Sequence, residues 1–437
     1  MIRIVLAAFL ALLATAPLRA QIEVQEITSP GGIDAWLVEE PSIPFVALEF
    51  RFVGGTSLDA PGQEGATEVM AALMSEGAGE LDSRAFATAL EALAASFSIS
   101  AGRDTIAVSA QMLSENRTEA AALLRTALAE PRFDVDALER VRARAISGVR
   151  SDARNPSQIA GRTFAELAWG DRAYGRPASG TEDSLAALTR DDLQATHAGA
   201  FARDRLFVSA VGDISEAELG ALLDDLLGWL PATGAPLPDK AEPALDGGVT
   251  VVDFDGPQAV ILFGHAGLPR EDDDFIPAFV MNEVLGGGRF GTRLMRELRE
   301  VRGLTYGVGT GLASGEFGDT VQGFFSTDNA RAADAIEVVR TEWARMAADG
   351  VTDAELEAIQ TYLTGAYPLR FEGNATIADI LVGMQVQGLP ADYIARRNDL
   401  VRAVTVEDVR AIADRLLDPD ALRFVVVGRP AGLETTN

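Results

Sequence analysis

Residues 286–311 read GGGRFGTRLMRELREVRGLTYGVGTG: a glycine turn, an arginine-crowded helix and a strand in succession. Leu294, Leu298 and Val301 recur at i, i+4 and i+7, the spacing of one buried helical face. Gly303 is placed to cap that helix, and Leu304, Tyr306 and Val308 alternate as in a strand. Arg289, Arg293, Arg296, Arg299 and Arg302 stand against only Glu297 and Glu300. The spacing allows Arg293/Glu297 and Arg296/Glu300 as i,i+4 pairs on a solvated face. It equally allows a positive patch, beside two glycine-rich turns, that receives a carbonyl, a carboxylate or an acidic peptide.

Outward from this stretch, the second half of the chain repeats the first. Residues 188–213, LTRDDLQATHAGAFARDRLFVSAVGD, answer residues 404–429, VTVEDVRAIADRLLDPDALRFVVVGR. Thr189 and Thr405, Asp192 and Asp408, and Gly212 and Gly428 are each 216 apart. A constant offset across helix, loop and strand implies duplication of one unit. Upstream of each tail come β-rich runs (Ile33–Glu39 and Pro44–Val53; 249–264), a polar loop and an apolar helix ending in glycine. In the first half that helix is ATEVMAALMSEGAG, and another follows over Ala85–Ala95 with Ser83 as N-cap. Ser96–Met112 reads as paired strands turning at Gly102-Arg103-Asp104, followed by helices over Arg117–Ala129 and Asp136–Asp152. Gly170–Gly180 is a Gly/Tyr/Pro loop. The expected class is α+β: two homologous α/β domains, each a mostly antiparallel sheet with helices packed on one face. The proline-rich stretch 231–248 is the expected linker between a domain over 21–230 and another over 249–437.

Composition narrows the function. Of 437 residues, 48% are hydrophobic, enough for a large core, and the formal net charge is −28. Such acidity argues against nucleic acid and anionic membrane surfaces as partners. Residues 1–20, MIRIVLAAFLALLATAPLRA, have the basic start, apolar centre and small terminal residue of a cleaved leader. A periplasmic or secreted protein without a membrane span is therefore expected. Cysteine is absent and the only histidines, His197 and His265, lie 68 residues apart. No thiol nucleophile is available, and no paired histidines can share one helix as zinc ligands. Both histidines are read as structural, one on a helix and one at a strand end.

In its two repeats, the Gly/Tyr/Pro loop, the T-x-x-D helices before each terminal strand and the block LGGGRFGTRLMRELREVRGLTYGV, the chain resembles the pitrilysin/insulinase-type zinc metallopeptidases. It is closest in kind to the short members related to the mitochondrial processing peptidase. The resemblance covers nearly the whole chain after the leader. It implies that Arg299 and Tyr306, seven residues apart, are the catalytic pair that hydrogen-bonds a substrate carbonyl and its developing oxyanion. Gly286, Gly287, Gly288, Arg289 and Phe290 would contact the substrate. The metal half departs from the family pattern. Glu68 stands at the first histidine of H-x-x-E-H, Ala71 at the general base, Ala72 at the second histidine and Gly148 near the third ligand. The resemblance therefore implies a non-catalytic subunit that binds no cofactor itself. A homologous partner would carry H-x-x-E-H and zinc, and the substrate would be a peptide or unfolded polypeptide. The alternative is a non-enzymatic assembly or peptide-binding protein of the same fold.

Overall fold

The computed structural model describes residues 22–436, so the expected leader lies outside the described residues. The first half contains strands β1 (Gln25–Thr28), β2 (Asp34–Glu39), β3 (Phe45–Val53), β4 (Gly77–Ala78), β5 (Leu81–Asp82), β6 (Ser96–Ala101), β7 (Thr105–Leu113) and β8 (Leu206–Gly212). Its helices are α1 (Ala66–Leu73), α2 (Ser83–Ala92), α3 (Arg117–Ala129), α4 (Val135–Asp152), α5 (Pro156–Trp169), α6 (Glu182–Ala187), α7 (Arg190–Ala200) and α8 (Glu216–Leu227). The second half contains β9 (Gly248–Asp253), β10 (Gln258–Ala266), β11 (Val308–Ser314), β12 (Asp319–Asp328) and β13 (Arg423–Gly428). It has helices α9 (Phe275–Leu285), α10 (Ala332–Asp349), α11 (Asp353–Ala366), α12 (Asn374–Val386), α13 (Tyr393–Ala403) and α14 (Val406–Leu416). No described helix is long and apolar enough to cross a membrane.

The two main sheets have the same topology. The first runs β1-β2-β8-β3-β7-β6 and the second β9-β13-β10-β12-β11. Removing β1 makes them superimposable in order, with β9 answering β2 and β13 answering β8. Each has one parallel pair, β2 with β8 and β9 with β13, among antiparallel neighbours. The duplicated tails match in their bonding too. The amide of Thr189 donates to Asp192 at 2.8 Å, and Asp192 N donates back to Thr189 Oγ1. Thr405 and Asp408 repeat this capping box at 2.9 and 3.1 Å.

Each half has its own core between its sheet and its helices. One gathers Leu48, Phe50, Met70, Leu124 and Phe201, the other Phe263, Met281, Phe325, Trp343 and Phe424. The opposite face of each sheet is covered by a helix from the other half. Helix α5 lies on β10 and β13, with Phe164, Ala168 and Trp169 against Val425 and Val427. Helix α12 lies on β3 and β8, with Ala378, Leu381 and Met384 against Trp36, Ala47 and Val211. This crossing explains why β3 is buried along almost its whole length instead of alternating.

Three local expectations change. The N-cap of α2 is Asp82, whose carboxylate accepts from Ala85 N at 2.8 Å, one residue before Ser83. Residues Met295–Val301 form a π-helix. Its wider winding keeps Leu294 and Leu298 in the core but rotates Val301 outward to 63% exposure. The strand begins at Val308, not Leu304, because Thr305 Oγ1 ties to the backbone of Gly307 and forms a turn. Tyr306 therefore lies on a loop. Gly303 ends the π-helix as expected, at φ +59° with its amide on Arg299 O.

Candidate functional site

The arginines of the opening stretch separate by their partners. Arg293 is only 6% exposed and grips Glu355 through two bonds of 2.8 Å, with a third to Gly350 O. Arg296 and Arg302 both pair with Glu297. The expected Arg293/Glu297 and Arg296/Glu300 pairs do not form, because the π winding changes which positions face one another. Arg289 turns inward, donating to Glu283 O at 3.1 Å beneath the ring of Tyr362. Arg299 alone of the five has no carboxylate among the described residues. Its guanidinium lies over the Phe290 ring at 4.7 Å, and that ring is itself 67% exposed. Tyr306 is 85% exposed and its hydroxyl makes no hydrogen bond within the described chain. Two unspent donor groups thus stand at the surface on either side of Gly303.

The glycine turn is built for close approach. Gly286 caps α9 through Asn282 O at 2.8 Å, and its own carbonyl receives Thr310 N at 2.6 Å. A Cβ there would sit 2.4 Å from Thr310 Oγ1, which only glycine avoids. Gly287 and Gly288 line a cavity of about 370 Å³ with Gly309, Gly311 and Phe324. Gln322, Leu262 and Ala313 are shared with a neighbouring cavity of about 320 Å³, walled by Tyr174, Trp169 and Gly315. That cavity in turn shares Arg103, Gly161 and Ala165 with a third, of about 330 Å³, lined by Arg162, Arg176, Asp152 and Ser179. The three abut as one trough crossing both halves of the molecule. Tyr174 fastens its middle: its hydroxyl donates to Asp104 at 2.6 Å and accepts from Phe317 N at 3.1 Å.

At the far end are the metal-motif positions, and their side chains do not fit zinc. Glu68 on α1 accepts from Ser179 Oγ at 3.2 Å, and burial raises its pKa above the usual carboxylate range. Ala71 is buried, Ala72 is exposed, and Gly148 lies exposed on α4. None of these three carries a donor atom on its side chain. Among the described residues no three His, Cys, Asp or Glu side chains gather to hold a metal ion. The histidines serve packing. Trp343 donates to His265 Nε2 at 3.0 Å while Nδ1 reaches Ala266 O at 2.7 Å, and burial lowers the ring's pKa. His197 bonds Leu128 O at 2.8 Å and stacks on Trp229. Arg103, Arg162 and Arg176 were not read as site residues from the sequence, and Tyr174 entered only as part of the Gly/Tyr/Pro loop. An arginine in a hairpin turn and others on a helix and in a loop meet only after folding.

The insulinase (peptidase family M16) model matches residues 36–182, and the peptidase M16 inactive-domain model matches residues 187–363. A Helicobacter pylori protein named non-peptidase homolog YmxG is 25% identical over 390 residues, 89% of this chain and 90% of its own. A Mycobacterium leprae protein named as an uncharacterized zinc protease is 25% identical, covering 90% of this chain and 88% of its own. Among solved structures, one described as a peptidase M16 inactive domain from Pseudomonas fluorescens has 28% identity and a TM-score of 0.87. That match spans 95% of this chain and 100% of the other. Two consecutive family matches, the duplicated sheets and this shared fold lead to one assignment: the chain belongs to the insulinase (peptidase M16) family, with Ala71, Ala72 and Gly148 at metal positions that offer no side-chain ligand.

Proposed function

We propose that this chain is the exported, non-catalytic subunit of a two-chain peptidase. It holds an unfolded polypeptide along its trough for a homologous partner that carries H-x-x-E-H and zinc. One observation carries the reading. Within a segment whose other arginines pair with carboxylates of the chain, Arg299 and Tyr306 keep their donors free, while Ala71, Ala72 and Gly148 replace the metal half. A guanidinium and a phenol offered from the π-helix and the turn after it are suited to a carbonyl oxygen that gains charge. Reconstitution with an H-x-x-E-H homologue tests this. Arg299→Ala or Tyr306→Phe should lower peptide turnover by roughly 100-fold, as for loss of an oxyanion donor, with the melting temperature unchanged. Undiminished turnover in both variants would remove the role.

A second reading is peptide holding without any hydrolysis. It is favoured by the Helicobacter pylori relative, whose name calls it a non-peptidase homologue. Binding of peptides with no cleavage in the presence of the partner would select it.

A further inference from the structure

We propose that the arginine-lined end of the trough, beside the lost metal positions, binds the free C-terminal carboxylate of a peptide. This rests on the peptide-holding reading above and names the feature of the ligand that is recognised.

Arg103 sits in the β6–β7 turn and is held by one nitrogen. Its Nη1 donates to Tyr174 O at 2.8 Å and lies 3.4 Å from the carbonyls of Ala173 and Arg176. The Tyr174 ring lies 5.5 Å from the guanidinium carbon. These contacts fix the plane of the guanidinium, while Nε and Nη2 find no acceptor among the described residues. No carboxylate there comes within ion-pair distance of it. The chain has 65 acidic residues against 37 Lys and Arg, so a half-buried arginine without an acid is a cation held for something else. Arg176 lines the same cavity, its Nη2 donating to Asp59 O at 2.7 Å, and Arg162 makes only a loose 3.7 Å pair with Glu166.

The acids nearby do not cancel this charge. Asp152 lines the cavity, Glu68 lies beside it bonded to Ser179, Asp104 lines the adjoining cavity and accepts from the Tyr174 hydroxyl and Glu316 N, and Glu166 faces Arg162 only at 3.7 Å. Arg103 and Arg176 are each left without an ion-pair partner among the described residues. A planar guanidinium with two free N–H directions matches a two-oxygen anion better than a lone carbonyl, and a peptide supplies that anion as its terminal carboxylate. Position selects the chain terminus. The trough runs from the glycine turn past Arg103 into the last cavity, which Arg162, Arg176, Gly175, Pro177 and Gly180 line. A polypeptide laid along it in that direction ends on the arginines.

The test uses the chain after removal of residues 1–20 and an N-terminally labelled degenerate peptide pool lacking Asp and Glu. The pool is made in free-acid and C-terminally amidated forms, and binding is followed by fluorescence anisotropy. The free acid should bind at least tenfold more tightly than the amide. Arg103→Gln should abolish that difference and leave amide binding intact. Arg162→Gln, an exposed change on α5, should reduce the difference even if Arg103→Gln folds poorly. Equal binding of acid and amide overturns the carboxylate site while leaving peptide holding in place. Failure of both forms to bind overturns peptide holding and this proposal together. A preference unchanged in both variants also overturns it.

Discussion

Arg293 and Arg299 share one helical segment and have opposite fates. Arg293 is buried in a bidentate pair with Glu355, and Arg299 is left with a donor to offer. Glu355→Gln would strand a buried guanidinium and should cost about 3 kcal/mol, the low end for a broken buried pair because Glu355 keeps some solvent contact. Urea unfolding measures this, and a loss below about 1 kcal/mol would mean the pair is solvated. The pair also sets an acid limb. Hydrogen bonds from Arg293 hold the Glu355 carboxyl down to about 2, against an ordinary value of 4.5. Its contribution is therefore complete above pH 4.5 and lost as pH falls toward 2. Asp59 behaves in the opposite sense. Burial pushes its carboxyl up to about 6 despite bonds from Gly65 N, Thr67 N and Thr67 Oγ1. Its favourable contribution is present below 3.8 and lost as pH rises through 6. The melting-temperature difference between wild type and Asp59→Asn should therefore shrink from pH 4 to pH 7.

At the scale of elements, periodicity and caps were legible where one rule acted alone. Helix α3, the β6–β7 hairpin and the two matching T-x-x-D helices follow directly from local pattern and repeat, and the structure adds that each Thr/Asp pair is a capping box. The π-helix was not legible, because a buried Leu294 and Leu298 fit α and π winding equally and only Val301 distinguishes them. Short β1, α6 and α8 also went unread. Of the candidate site, Arg299 and Tyr306 stood out by motif. The arginine end of the trough did not, since Arg103 and Arg176 are joined only through tertiary contact. The crossing of α5 onto the other half's sheet was equally hidden, and Gly318 shows how tight it is. A Cβ there would meet the Trp169 ring at 2.3 Å. Gly318→Val should force Trp169 aside and cost about 1–3 kcal/mol by overpacking, read by chemical denaturation. Gly148→Ala, where a Cβ meets open space, is the control expected to cost nothing.

For the whole molecule, the two cores are joined by the crossed helices and by specific bonds. Ser209 Oγ donates to Ala378 O at 2.6 Å, Gln385 Nε2 donates to Val208 O at 2.8 Å, and Arg51 pairs with Asp379. Neither sheet is covered on both faces by its own half. The chain should therefore melt in one transition, with calorimetric and van't Hoff enthalpies equal. Two separated transitions would show that the crossed helices contribute little.

The same crossing sets a schedule for biosynthesis. The strands of the first sheet are all present once Gly212 has been made, yet Trp36, Ala47 and Val211 stay bare until Asn374–Val386 arrives. A growing chain carries that sticky face through the synthesis of about two-thirds of the second half. Burial of that face is thus completed only after residues 374–386 have been made.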